Sequence, residues 1–241
     1  MTTAVPTPAE NGKWRIAIGI PSHEMCPSIF AFDLANMMGY SMGKLGDRFD
    51  FGMHYVGGTY IHKARQQLIT EMLDEGCHYM LWLDSDMRFP KDALVQLLAR
   101  DLPMVGINYS TRGIPPRFVA IKEVAHILED GTIDPGRHLQ TNEDSVGVEK
   151  VEAVGFGCVL MKSVITQGLT EDEPWFFYEW NTKIGKMHVG EDVWFCRLVR
   201  ENGYDVYVDH DLSKQCAHVG SMEYKLDHVW GIREAMEAGE L

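Results

Sequence analysis

Residues 79–89 read Tyr79-Met80-Leu81-Trp82-Leu83-Asp84-Ser85-Asp86-Met87-Arg88-Phe89, and this stretch decides the fold. Tyr79–Leu83 has the length and apolar content of a buried strand. It stops abruptly at two carboxylates, Asp84 and Asp86, with one small residue between them. In α/β sheets, ligands bind outside the carboxyl ends of the strands. Oxygen ligands at this spacing suit a hard divalent cation, usually one that also holds a substrate phosphate. The bland reading is a strand end and a turn, with Asp86 bonding to local amides. Context favours the first reading, because a buried strand precedes the pair and Pro90 and a helix follow it. The combination points to chemistry on a nucleotide-sugar.

Working outward, strands alternate with helices. Residues 14–20 form a short apolar run that ends at Pro21, and 49–56 is a second strand candidate. Ser28–Leu45 carries Met, Ala and Leu at helical spacing. Gly57-Gly58-Thr59 makes a turn. Ile61, Ala64, Leu68, Ile69 and Met72 recur at spacings of three and four, so 61–75 is an amphipathic helix that Gly76 ends. Pro90 is placed to open the next helix, with Leu94, Leu97 and Leu98 inward. Residues 104–107 give a fourth strand. This alternation implies an α/β fold with a mixed, mainly parallel central sheet and helices on both faces.

The second half is less regular. Residues 111–117 hold three turn formers, Gly113, Pro115 and Pro116. Residues 129–149 are polar and read as a loop or hairpin excursion. An apolar stretch follows Gly155-Phe156-Gly157, 175–180 is dense in aromatics, 191–202 is helical and 206–208 is a short strand. There is no internal repeat and no clear linker. The expected organisation is a disordered leader over 1–13 and one catalytic domain over 14–241. Within that domain, 14–110 would bind the donor, 111–222 the acceptor, and 223–241 would form a C-terminal tail or helix.

The chain has 241 residues and 45% hydrophobic residues, enough for a full core. A formal net charge of −13 disfavours non-specific affinity for nucleic acid or anionic membranes. No apolar run approaches the ~20 residues that span a bilayer. The five cysteines are odd in number and form no CxxC pair, which suits reduced thiols in the cytoplasm and argues against zinc.

Five further groups carry possible chemistry. Glu191 and Asp192 open a helix, where acids suit the macrodipole; one of them could instead be a general base for an acceptor hydroxyl. His218 lies between a short strand and Gly220, either structural or completing an Asp/His site, and an imidazole ligand would favour Mn²⁺ over Mg²⁺. Arg65 is either a solvated helix charge or an anion contact, with His62 and Lys63 weaker candidates of the same kind. Trp175, Phe176, Phe177, Tyr178 and Trp180 read as core aromatics, of which one or two, Trp175 and Trp180 foremost, could line an acceptor groove. Arg112, Arg117 and Lys122 form a modest basic group that could meet a phosphate-bearing acceptor.

In order, these pieces resemble GT-A-fold glycosyltransferases, particularly the glycosyltransferase family 2-like enzymes. The strand running into Pro21-Ser22, Ala64-Arg65-Gln66-Gln67 before Asp84-Ser85-Asp86, the Gly155-Phe156-Gly157 strand, Gly190-Glu191-Asp192 and His218 carry the likeness over roughly residues 14–222. The resemblance implies a hexosyltransferase-type enzyme. Pro21, Ser22, Arg65, Asp84, Ser85 and Asp86 would contact the nucleotide-sugar donor, and Asp84, Asp86 and His218 would hold Mn²⁺ or Mg²⁺. Asp192 would be the base, inverting the sugar by single displacement, with Glu191 beside it. Gly155 and Gly157 would lie on the acceptor side. Gln66 stands where an Asn is more usual, and Ser22-His23-Glu24 replaces the familiar polar-aromatic turn. The compact chain favours transfer of one sugar, from a UDP-sugar, to a glycan or to a modified nucleobase in DNA. A nucleotidyltransferase or a non-catalytic nucleotide-sugar-binding module would use the same strand ends. Oligomeric state is left open.

Overall fold

The computed structural model describes residues 8–23, 25–128, 130, 132–170, 172–181, 186–220 and 223–239. The central sheet is built from β1 (Trp14–Ser22), β2 (Phe49–Gly57), β3 (Tyr79–Leu83), β4 (Met104–Gly106), β5 (Val148–Val151), β6 (Cys158–Lys162) and β7 (Val206–Asp209). The helices are α1 (Ser28–Leu45), α2 (Ile61–Asp74), α3 (Ala93–Arg100), α4 (Glu191–Glu201), the single turn α5 (His210–Ser213) and α6 (Leu226–Glu237). The strand order is β5-β7-β4-β6-β3-β1-β2. β2, β1 and β3 run parallel, as do β4 and β7. β6 runs antiparallel between β3 and β4, and β5 antiparallel beside β7. This is the mixed, mainly parallel, Rossmann-like sheet that the GT-A resemblance implies.

Alternation along β1 explains why both faces are covered. Ala17 points to a cluster with Leu68 and Met72 of α2 and Phe195 and Val199 of α4. Ile16, Ile18 and Ile20 point the other way, to Phe30 and Met37 of α1 and Leu94 and Leu97 of α3. A strand whose two faces both meet helices reads as a continuous apolar run, as 16–20 does.

Several boundaries differ from the sequence reading. β1 continues through Pro21 to Ser22. β3 pairs only with Ile16–Gly19, so no neighbour on that side needs the N–H that Pro21 lacks. α3 begins at Ala93 rather than at Pro90, whose carbonyl instead accepts the Ala93 N–H across a turn. Asp101 ends that helix with φ 52°, a left-handed conformation Asp tolerates. Residues 8–13 form a hydrogen-bonded turn docked on β2 by Asn11, which donates to Asp50 at 2.7 Å; residues 1–7 of the expected leader lie outside the described residues.

Two features that position the site were not visible as elements in the sequence. One is the placement of β6 from the second half inside the sheet. The other is a small ribbon in which Met87–Arg88 pairs antiparallel with Ala217–Val219, which in turn pairs with Glu223–Tyr224. Two- and three-residue strands fall below any periodicity signal.

Candidate active site

The carboxyl ends of β1, β2, β3 and β4 open onto one cavity of about 310 Å³. Its lining includes Pro21, Ser22, Arg65, Asp84, Ser85, Asp86, Glu191, Asp192 and His218, nine residues singled out from sequence. Gly155, Gly157, Trp175 and Trp180 do not line it.

The inner wall is built on Arg65. Ala64, Leu68, Ile69 and Met72 bury one face of α2, and that packing carries Arg65 inward until it is 3% exposed. Its guanidinium donates to Glu191 Oε1 at 2.6 Å and to both oxygens of Asp84, at 2.9 and 3.1 Å. It also lies over the Phe156 ring, 5.0 Å from the centroid. Phe156 belongs to an aromatic cluster with Trp82, Phe176 and Phe195, and Phe176 stacks flat on Phe195 at 4.7 Å. Phe195 is on α4, so the same cluster seats the helix whose first turn presents Glu191 and Asp192. Burial alone would lower Arg65's proton affinity, but Asp84, Glu191 and Asp192 raise it above its usual value, so it stays cationic.

Asp192 behaves oppositely. Burial first, and then the neighbouring Glu191 charge, push its carboxyl up to about 6. That is a suitable poise for a general base near neutral pH. Tyr178 stands beside Glu191, and burial followed by the Glu191 charge raises its phenol well above the ordinary value.

The outer wall is built on Asp86. A turn closes from the Met87 N–H to the Asp84 carbonyl, and the Asp86 carbonyl accepts the Val219 N–H at 2.7 Å. The ribbon register sets His218 opposite Met87. His218 Nδ1 lies 3.1 Å from the Ser110 carbonyl, and a carbonyl only accepts, so Nδ1 carries the proton. In the neutral ring Nε2 then offers a lone pair, and it faces Asp86 Oδ2 at 3.4 Å. Two acceptors that face each other call for a proton or a cation between them. Arg112 Nη1 sits 2.9 Å from the same Asp86 oxygen. Burial pushes the Asp86 carboxyl up, but His218 and Arg112 more than offset it and hold the group below its usual value.

The donor chemistry fits a divalent cation carried partly by its ligand. Among the described residues no cluster of three His, Cys, Asp or Glu side chains is arranged to hold a metal. Asp84 is held by the buried Arg65, whereas Asp86, held by the half-exposed Arg112, faces His218. Mg²⁺ and related ions are often bound through one or two side chains plus substrate phosphates. Charge favours it too, since the lining carries four carboxylates against two guanidinium groups.

The residues outside the cavity act on it indirectly or not at all. A Cβ on Gly155 would run into Val119 Cγ1 and come within 2.6 Å of the Tyr109 hydroxyl, and one on Gly157 would come within 2.8 Å of the Tyr109 ring. These glycines make room for Tyr109, which does line the cavity and meets His218 edge-on at 5.3 Å. Gly157 also accepts the Asp84 N–H. Trp175 packs against the core and donates from Nε1 to the Thr170 carbonyl. Trp180 is 60% exposed on a ribbon formed by Glu179–Asn181 and Lys186–Val189. Gln66 takes a structural role, its Oε1 accepting the Trp175 N–H at 2.9 Å. The basic group is dispersed: Lys122 bonds Glu149 at 2.6 Å, while Arg112 alone reaches the cavity.

Sequence reasoning missed Tyr109, Thr59 and His23 as lining residues. Each lies one to three residues past the carboxyl end of β4, β2 or β1. The rule that singled out Asp84 and Asp86, applied to every strand end, reaches them.

No protein-family model and no curated protein matches the chain. Among solved structures it is similar to A197 from STIV, with a TM-score of 0.53 and 13% identity over 86% of each chain. It also matches the 4-diphosphocytidyl-2C-methyl-D-erythritol synthase from Anaerococcus prevotii DSM 20548 (TM-score 0.43, 12% identity, 82% of this chain and 88% of that one). A third match is a glycosyltransferase involved in glycosylation of the major capsid of PBCV-1 (TM-score 0.30, 15% identity, 66% and 68%). At these identities the likeness to A197 establishes the fold alone.

Proposed function

We propose that the protein is a divalent-cation-dependent glycosyltransferase that moves one sugar from a nucleotide-sugar to an acceptor hydroxyl. The observation that carries this reading is the facing Asp86 and His218 pair, set by a backbone hydrogen bond and open to the cavity that also holds Asp192. Asp86 and His218 would hold Mn²⁺ or Mg²⁺, with Asp84 close behind on Arg65. The ion would offset the negative charge that builds on a departing nucleoside diphosphate. Pro21, Ser22 and Ser85 would form the walls against the nucleotide-sugar.

Asp192 would accept the acceptor's hydroxyl proton while that oxygen bonds to the anomeric carbon. The bond from that carbon to the diphosphate oxygen breaks, and its electron pair leaves with the nucleoside diphosphate. A base on the opposite side of the carbon inverts its configuration. Glu191 would hold Arg65 in place and leave the proton to Asp192, whose raised carboxyl is the better acceptor. The exposed Trp180 and Phe177 near α4 offer faces on which a sugar ring or a nucleobase of the acceptor would stack.

The test is product analysis with a panel of UDP-sugars, Mn²⁺ and glycan or DNA acceptors. Free nucleoside diphosphate supports sugar transfer, and pyrophosphate would instead mean nucleotidyl transfer. Asp86→Ala should lower metal-dependent transfer by a hundredfold or more, on the order of the several kcal/mol a Lewis acid supplies. Unchanged transfer by that variant would sink the assignment.

A further inference from the structure

We propose that Arg112 is a built-in counter-ion of the cation site, exchanged for the divalent ion on binding and passed to the donor's diphosphate. The proposal rests on the metal-dependent reading above.

Asp86 Oδ2 is the atom that faces His218 Nε2 at 3.4 Å, and it is also the atom that Arg112 Nη1 holds at 2.9 Å. A cation bridging Asp86 and His218 needs the space and the charge that the guanidinium now supplies. The guanidinium and a bridging ion therefore compete for that oxygen. Like charges at a shared oxygen repel in proportion to their closeness, and partial burial weakens the screening that would otherwise mask this.

The next question is where the displaced guanidinium goes. Among the described residues lining the cavity, Arg65 and Arg112 are the only Lys or Arg side chains. Arg65 is 3% exposed and committed to Glu191 and Asp84, so it has no reach into the open space. Arg112 is 49% exposed at its side chain and belongs to a surface segment whose tip, Ile114, is 88% exposed. The segment is tied at its base, where the Thr111 N–H donates to the Arg117 carbonyl and Ser110 bridges Phe118. Besides Asp86, the Arg112 guanidinium reaches the Val219 carbonyl at 3.5 Å, a weak contact. A diphosphate entering a cavity with a carboxylate excess needs cationic partners. Arg112 is the lining guanidinium free to become one, and its planar fork matches phosphate oxygens.

The exchange gives the site an order. With no ligand, Arg112 competes with the metal and keeps its affinity low. With the diphosphate present, the same side chain leaves Asp86 and binds the ligand, so metal and nucleotide each strengthen the other. By linkage that mutual strengthening is a single coupling factor.

The experiment measures Mn²⁺ binding by calorimetry and by the free-ion paramagnetic resonance signal, with and without UDP, for the wild type, Arg112→Ala and Asp86→Asn. Arg112→Ala should bind Mn²⁺ alone about 3- to 10-fold more tightly, and bind UDP in saturating Mn²⁺ about 10-fold more weakly, so the coupling between the two falls. A purely structural role would weaken both. Loss of Mn²⁺ binding in Asp86→Asn shows that the cation site is where the proposal needs it. If that loss occurs and Arg112→Ala leaves the affinity for Mn²⁺ alone unchanged or weaker, the counter-ion role is wrong while the metal reading stands. If the wild type binds Mn²⁺ with no dependence on Asp86, or binds none with UDP, the metal reading falls and the Arg112 role falls with it.

Discussion

Two arginines face the same cavity from opposite walls. Arg65 is sealed between Asp84, Glu191 and the Phe156 ring, with its position fixed by the apolar face of α2. Arg112 hangs from an exposed segment and touches the site through one oxygen of Asp86. Both are Arg–carboxylate pairs at about the same distance, yet burial separates their consequences. A buried pair whose partner is deleted leaves an uncompensated charge, whereas an exposed one leaves a group that water can take over. The first kind of pair shapes a site, and the second can be traded for a ligand.

The largest expected effect lies on the buried wall. Asp192→Asn should lower turnover by about 10²- to 10⁴-fold, the usual contribution of a positioned base. Its pH profile sharpens the point. Protonation removes the base, so wild-type kcat/KM should rise through about pH 6 and level off above it. The Asn variant should lack that limb; a limb that persists would assign the base elsewhere.

Arg65→Met comes next. It should cost roughly 3–5 kcal/mol in denaturant unfolding, because Glu191 and Asp84 lose their shared partner. A cost below about 1 kcal/mol would erase the distinction between the walls. Gln66→Ala should cost roughly 1–3 kcal/mol, since it orphans the partly buried Trp175 amide. The smallest effect belongs to the outer wall: Arg112→Ala should change unfolding stability by no more than about 0.5 kcal/mol, as expected for an exposed pair.

The sequence was most readable where periodicity runs long. Ser28–Leu45 and Tyr79–Leu83 fall at the boundaries that their apolar spacing suggests, and Arg65, Asp84, Asp86, Glu191, Asp192 and His218 do converge on one cavity. Order along the chain was enough for that, because α/β folds bring strand ends together. What stayed hidden depends on contacts between distant segments. Nothing local in Cys158–Lys162 announces that it will run antiparallel between β3 and β4. Nothing in Arg112 announces a partner twenty-six residues upstream, and a charge count merged it with Lys122, which faces elsewhere. Gly155 and Gly157 read as acceptor-side residues, and in the fold their missing side chains leave room for Val119 and Tyr109.

The position of β6 has a consequence for how the chain is made. Synthesis delivers β1, β2 and β3 early, but the partner along one edge of β3 is Cys158–Lys162, about seventy-five residues later. Until the ribosome has released that segment, the strand that ends in Asp84 carries a row of unpaired backbone groups, the kind of edge that invites association with other chains. The first half alone is therefore a poor candidate for independent folding. The strand that seals the sheet also brings Gly157, whose carbonyl takes the Asp84 N–H, so the carboxyl end of β3 gains that bond only once the sheet is complete.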